Sequence, residues 1–385
     1  MLLRVRVTTT LAARTSERPA RTAAKPAAWL FSRNVDLAVF LGAALVSFGA
    51  LGIGALTGVL YDETPLWAWV PALVLCDVAH VWSTAFRTYL DPAERRARPW
   101  VLGLAPAIGL VASVALFALG ELTFWRALAY LAIFHFVRQQ YGWVSLYRSR
   151  AGETGRGGRI VDTVAIYAAT LWPLLHWHTH LPRRFSWFVP GDVVSLPGGL
   201  MPVATVVYVA ALAAYAFRAA HLWWRGTPNP GKDVVVATTA AGWYVGIVAF
   251  DSDYAFTMTN VFMHGIPYFA LVFVHTRARF RAAAPTSVSP PSRLAIPSLS
   301  ERLTRSVVPF LGVLWLIAFV EELVWDRAVW HDRSWFFGEP WNVGALKLVI
   351  VPLLALPQLT HYVLDGFIWR RRTNPSVAGL AAGPP

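Results

Sequence analysis

DLAVFLGAALVSFGALGIGALTGVL, residues 36–60, opens on one carboxylate and then runs for twenty-four residues without another ionisable group. Wound as a helix at about 1.5 Å per residue, such a run crosses the ~30 Å hydrocarbon core of a bilayer. It is too long for a signal-peptide core, and no small-residue cleavage site followed by a soluble domain comes after it, so it reads as a first membrane span. Apolar runs of similar length recur at 66–90, 100–120, 124–147, 160–180, 200–224, 233–250, 254–276, 306–325 and 344–369. The expected fold is an all-α polytopic transmembrane helical bundle of about ten spans.

Composition excludes the soluble alternatives. The chain is 56% hydrophobic and 14% charged, against about 25% charged in soluble domains, which leaves too little polar surface to wet a globule. The expected division is a basic disordered tail at 1–34, spans one to eight within 35–276, a cytosolic Pro/Ser/Arg-rich linker at 277–305, spans nine and ten within 306–372, and a disordered tail at 373–385.

The net charge of +13 would suggest nucleic-acid binding in a soluble protein; here the positive-inside rule accounts for it, and no nucleic-acid partner is expected. With the N-terminus in the cytosol, the inner segments collect seven basic residues in the tail, then Arg95, Arg96, Arg98, Arg148, Arg150, Arg156, Arg159, Arg218, Arg225, Lys232, the linker arginines and Arg370 to Arg372. The outer loops collect Asp62, Glu63, Asp251, Asp253, Asp326 and Asp332. Dropping one span would invert part of this pattern, so it fixes both ends in the cytosol. The single cysteine, Cys76, excludes internal disulfides and cysteine-based metal clusters, and its apolar surroundings read as packing.

Ionisable groups at mid-bilayer cost about 2.5–3.5 kcal/mol each on insertion scales, which makes them functional candidates. They concentrate on four spans: Asp77, His80, Thr84 and Arg87 on the second; His135, Arg138, Gln139, Gln140 and Tyr141 on the fourth; Asn260, His264 and Tyr268 on the eighth; His361 and Asp365 on the tenth. All four run from outside to inside in this topology. His80 lies fifteen residues before Arg95, His135 thirteen before Arg148, His264 thirteen before Arg277 and His361 nine before Arg370. They therefore share a slab roughly 14–23 Å from the cytosolic edge. Asp77 shares a helix face with His80, three residues on, and Asp365 with His361, four residues back.

Six candidate metal ligands follow: His80, His135, His264, His361, Asp77 and Asp365. Imidazole with carboxylate suits iron, zinc or manganese, and the lack of thiolate argues against copper(I) and iron–sulfur centres. Asp365 has a second reading, orienting His361 through its ring N–H. Catalytic candidates are Asp77, Arg87, Arg138, Gln139, Tyr141 and Asp365. The two arginines suit a lipid phosphate or carboxylate, or else ion pairs with Asp77 or Asp365. His176, His178, His180, His221, His275 and His331 read as interfacial, and Glu321 and Glu322 as solvated.

The segments 134–142 (FHFVRQQYG) and 361–370 (HYVLDGFIWR) resemble those of a group of bacterial polytopic membrane proteins to which no activity is assigned, implying residence in the bacterial inner (cytoplasmic) membrane. The broader arrangement is distantly similar to the Brp/Blh β-carotene dioxygenases. That resemblance implies non-haem iron held by His80, His135, His264 and His361. The histidine boxes of membrane desaturases and hydroxylases are absent. The leading expectation is a membrane metalloenzyme, a non-haem iron oxygenase of a lipid, isoprenoid or carotenoid substrate. A zinc-dependent lipid hydrolase uses the same ligands, and a proton-coupled transporter would use the same His, Asp and Arg as a relay.

Overall fold

The computed structural model describes residues 28–283, 298–370, 374 and 377. The expected N-terminal tail up to residue 27, the linker's 284–297 stretch and nearly all of the C-terminal tail lie outside the described residues. Among the described residues every regular element is helical. This is what lipid demands of a spanning chain, because a helix satisfies its backbone N–H and C=O groups internally.

Each of the ten apolar runs is helical. Numbering only these long helices, α1 is Arg33–Thr57, α2 Leu66–Arg87, α3 Pro99–Leu119, α4 Glu121–Arg150 and α5 Arg156–Thr179. Next come α6 (Gly198–Trp224), α7 (Pro230–Trp243, continued by Tyr244–Ala249), α8 (Asp253–Ala283), α9 (Val307–Trp330) and α10 (Gly344–Ile368). Seven of them (α1, α2, α3, α6, α8, α9 and α10) are long and apolar enough to cross a membrane. The other three fall short of that measure, α4 because Arg138, Gln139 and Gln140 interrupt its apolar run.

Local chemistry starts and stops these helices. The Ser32 hydroxyl caps α1 by accepting from Val35 N–H, and the Asn229 side chain caps α7 by accepting from Lys232 N–H. Gly58 ends α1 in the left-handed conformation, φ 82°, which a side chain would strain. α8 runs through residues 277–283, so the expected linker begins as helix.

Burial separates inner helices from outer ones. The apolar stretch of α8 is 61% buried, against 11% in α6 and 17% in α3 and α9. Hence α8 forms the axis and the other three face the surroundings. α2 reaches α8 closely because Gly265 lacks a Cβ: one placed there would lie 2.7 Å from Cys76 Sγ and 3.2 Å from Cys76 O. Small residues at such crossings are how membrane helices gain packing contacts where lipid is as apolar as the protein.

Loop contacts fall into two sets at opposite ends of the helices. At one end Thr64 bonds Asp253, Arg183 pairs with Asp251, Lys347 with Glu121, and Arg333 lies over the Trp69 ring. At the other end Tyr147 bonds Asp36, Arg279 pairs with Asp91, and Lys232 pairs with Glu153.

Two expectations about acidic and histidine side chains are corrected. Glu321 is not solvated: it accepts from the Trp82 and Trp325 indole N–H groups, and both it and Glu322 are only partly exposed. His275 is buried, with its ring edge-on to Trp369, rather than interfacial.

Candidate metal centre

Each of the four slab histidines arrives on a different helix: His80 on α2, His135 on α4, His264 on α8 and His361 on α10. All four are buried, and one ligand atom from each lies within 4.8 Å of every other. The rings make a tight ring-to-ring circuit. Centroids are 4.7 Å apart for His80 and His264, 5.1 Å for His264 and His135, 4.6 Å for His135 and His361, and 5.0 Å for His361 and His80. Convergence of the imidazoles, which the common depth anticipates, is therefore present.

Oxygens behind the rings decide which nitrogen faces inward. His80 Nδ1 faces Asp77 Oδ1 at 3.6 Å, and His135 Nδ1 faces Asp365 Oδ2 at 3.9 Å. His361 Nδ1 is 2.6 Å from Thr84 Oγ1 and 3.8 Å from Asp365 Oδ1. This leaves Nε2 of these three for the centre. His80 Nε2 and His264 Nε2 stand 3.1 Å apart, while His135 Nε2 and His361 Nε2 are buried with no hydrogen-bond partner among the described residues. Buried nitrogens without partners are costly and call for an explanation. A tetrahedral ion bound at about 2.0–2.1 Å separates its nitrogen ligands by about 3.3 Å, so the space between the rings suits one ion. A buried group of four histidines that could hold a metal ion is thus in place.

Asp77 and Asp365 stand behind the rings, on the Nδ1 side, and the converging set comprises the four histidines. Asp365 is fixed in turn: Tyr268 donates its hydroxyl to Asp365 Oδ1 at 2.5 Å and meets Thr84 Oγ1 at 2.9 Å. Sequence reasoning placed Tyr268 and Thr84 near the site without giving them this role. Their spacing of four residues from His264 and His80 was the available signal, since such neighbours share a helix face. α2 winds as a π-helix over Val70–Val78, just before His80, a distortion often found at functional sites. Phe136 stacks flat on His264 at 3.5 Å and fixes its plane.

The remaining candidates separate. Gln139 Nε2 donates to His264 O at 3.0 Å, placing it beside the centre. Arg87 is fully buried, but pairs with Glu94 at 2.7 Å and donates to Ile368 O, rather than pairing with Asp77 or Asp365. Arg138 is exposed, donates to Tyr167 and lies over the Tyr141 ring, so neither expected ion pair forms there either. Tyr141 stacks with Tyr167, apart from the histidines. Glu94, which occupies Arg87, was not anticipated. It sits outside the apolar runs, seven residues after Arg87, where spacing carries no signal.

No protein-family model, curated protein or solved structure matches the chain.

Proposed function

We propose that this chain is an integral membrane metal-dependent enzyme, a non-haem iron oxygenase acting on a lipid, isoprenoid or carotenoid substrate. The observation that carries the reading is the meeting of four imidazoles from four helices, with His135 Nε2 and His361 Nε2 buried and unpartnered. Ligand count favours iron over the zinc-hydrolase alternative. Four histidines complete the tetrahedral shell that zinc prefers, whereas a catalytic zinc keeps one position for water. The same four histidines could also hold iron, which accepts more than four ligands and would there supply activation of dioxygen. The chain's own contribution is orientation: Thr84 holds His361 at Nδ1, Asp77 and Asp365 place negative charge behind the Nδ1 sides of His80, His135 and His361, Tyr268 holds Asp365, and the apolar bundle excludes water.

The same proposal extends to topology. Alternating loops gather at two opposite ends, and the basic residues gather at one of them, which supports ten passes with both termini cytosolic and residence in a bacterial cytoplasmic membrane.

Elemental analysis of the detergent-purified protein, wild type beside His361→Ala, tests the metal. Stoichiometric iron in the wild type and its loss in the variant are expected; wild-type protein with no stoichiometric metal refutes the proposal.

A further inference from the structure

Between α2, α3 and α10 lies a cleft of about 380 Å³, within the size range of small-molecule sites. It exists because α3 packs along α10 rather than along α2, its predecessor in the chain. At the cytosolic end Tyr89 ties the two, donating its hydroxyl to Leu102 O at 2.9 Å. Above that tie the walls are side chains such as Ala85, Pro106, Leu353 and Leu356, and the inner end is His361 of the four-histidine group. Leu353 is half exposed, and it lies midway along α10, so the cleft opens sideways at the depth of the hydrocarbon.

Among the described residues, no Asp, Glu, Lys or Arg lines the cleft. Its polar groups are nearly all committed: Thr84 to His361 and Tyr268, Trp82 to Glu321, and Tyr89 to Leu102. Outside the four-histidine group, Thr360 is the exception. It is 8% exposed, and its hydroxyl has no hydrogen-bond partner. A phosphate or carboxylate would lie uncompensated in such a wall, whereas one neutral oxygen would meet a waiting hydroxyl.

Resting on the metal-site reading, we infer that this cleft binds an uncharged long-chain lipid that enters laterally from the bilayer. Its chain lies between Ala85 and Pro106, and a single hydroxyl or carbonyl oxygen meets Thr360 beside His361. The site thereby selects neutral, oxygen-bearing chains over fatty acids and phospholipid headgroups.

Photolabelling tests this with the full-length protein in phosphatidylethanolamine–phosphatidylglycerol nanodiscs. The probe is 1-hexadecanol carrying a mid-chain diazirine, with labelled residues mapped by mass spectrometry. Label on the cleft walls that excess 1-hexadecanol displaces and palmitate does not is expected, while label on the lipid-facing surface of α6 resists both competitors. Ala85→Phe is expected to lose the displaceable label. Thr360→Val, which conserves shape, is expected to weaken displacement by 1-hexadecanol but not by hexadecane. Cleft label that no competitor displaces, or that palmitate displaces equally, overturns the inference. Metal measured on the same samples separates the two readings. Bound metal without displaceable label overturns the cleft alone, and displaceable label on protein with no metal leaves the cleft and overturns the metal.

Discussion

At the scale of single residues, the four histidines are equivalent in burial but not in support. His361 is held at Nδ1 by Thr84 and faces Asp365, and Asp365 also faces His135. One carboxylate thus stands behind two rings, within 3.8 Å of His361 Nδ1 and 3.9 Å of His135 Nδ1. Asp365→Asn is expected to fold and to bind metal 10–100-fold more weakly, the range found when partners of ligating histidines are changed; competition with a chelator measures it. Wild-type affinity in that variant would remove Asp365 from the site. His264 borders a small cavity with Asn260, and among the described residues neither its Nδ1 nor the Asn260 Oδ1 has a hydrogen-bond partner. That cavity, about 10 Å³, approaches the volume one water needs. Asn260→Leu is accordingly expected to weaken metal binding less than Asp365→Asn does. The converging histidines were legible in the sequence because burying a histidine in an apolar span is costly, and counting residues to the nearest charge gives its depth. What stood behind each ring was not legible: a carboxylate three or four residues away serves equally well as ligand or as orienting partner, and only the rotamers decide. Arg87 and Arg138 show the same limit, since mid-span charges advertise that a partner exists without saying that Glu94 or Tyr167 supplies it.

At the scale of helices, the centre depends on how closely α2 approaches α8. The residue that sets this distance is Gly265, next to His264 and against Cys76, four residues before His80. A methyl there meets both the cysteine sulfur and the α2 backbone carbonyl, and the carbonyl cannot move without the helix. Gly265→Ala is therefore expected to destabilise the protein by about 1–3 kcal/mol, as overpacking does, and to lower metal content by separating His80 from His264. Adding Cys76→Ala removes the sulfur contact and should restore part, not all, of the thermal midpoint in detergent. An unchanged midpoint in Gly265→Ala would mean that the two helices are not held at this distance. Helix positions were readable from apolar run length because lipid permits few alternatives to a helix. Partners were not, since a span that is apolar on every side carries no sign of which face meets protein and which meets lipid. α1 and α9 look alike, at 25 and 24 residues with a mean hydropathy of 2.1 each, yet the apolar stretch of one is 44% buried and that of the other 17%.

At the scale of the whole molecule, the basic residues that indicate orientation also fasten one end of the bundle. Lys232 is fully buried, contacts both Glu153 oxygens at 2.8 Å and reaches Asp162 at 3.0 Å; Arg148 and Arg218 pair with the same two carboxylates. The cluster joins α4, α5, α6 and α7, so charges that sequence reading assigns to a side of the membrane also tie the helices together there. Impermeant maleimide should label Gly199→Cys in intact cells and Gly155→Cys only after permeabilisation, in a Cys76→Ala background; the reverse pattern would invert the topology. Lys232→Met leaves two carboxylates short of a partner and is expected to cost about 3–5 kcal/mol, as when one side of a buried pair is removed. The pH dependence follows from Glu153 in the loop between α4 and α5. Burial alone would raise its carboxyl, but hydrogen bonds from Lys232, Arg218 and Asn229 outweigh burial and hold it down at about 2, from an ordinary 4.5. The unfolded chain thus takes up this proton at a higher pH than the folded one. Stability from the cluster is complete above about pH 4.5 and drains away as the pH falls from there towards 2. Thermal midpoints in detergent should be flat above pH 5 as far as this cluster contributes, and should fall below it more steeply in wild type than in Glu153→Gln. Equal slopes for the two proteins would show that Glu153 is not held as a carboxylate by its three partners.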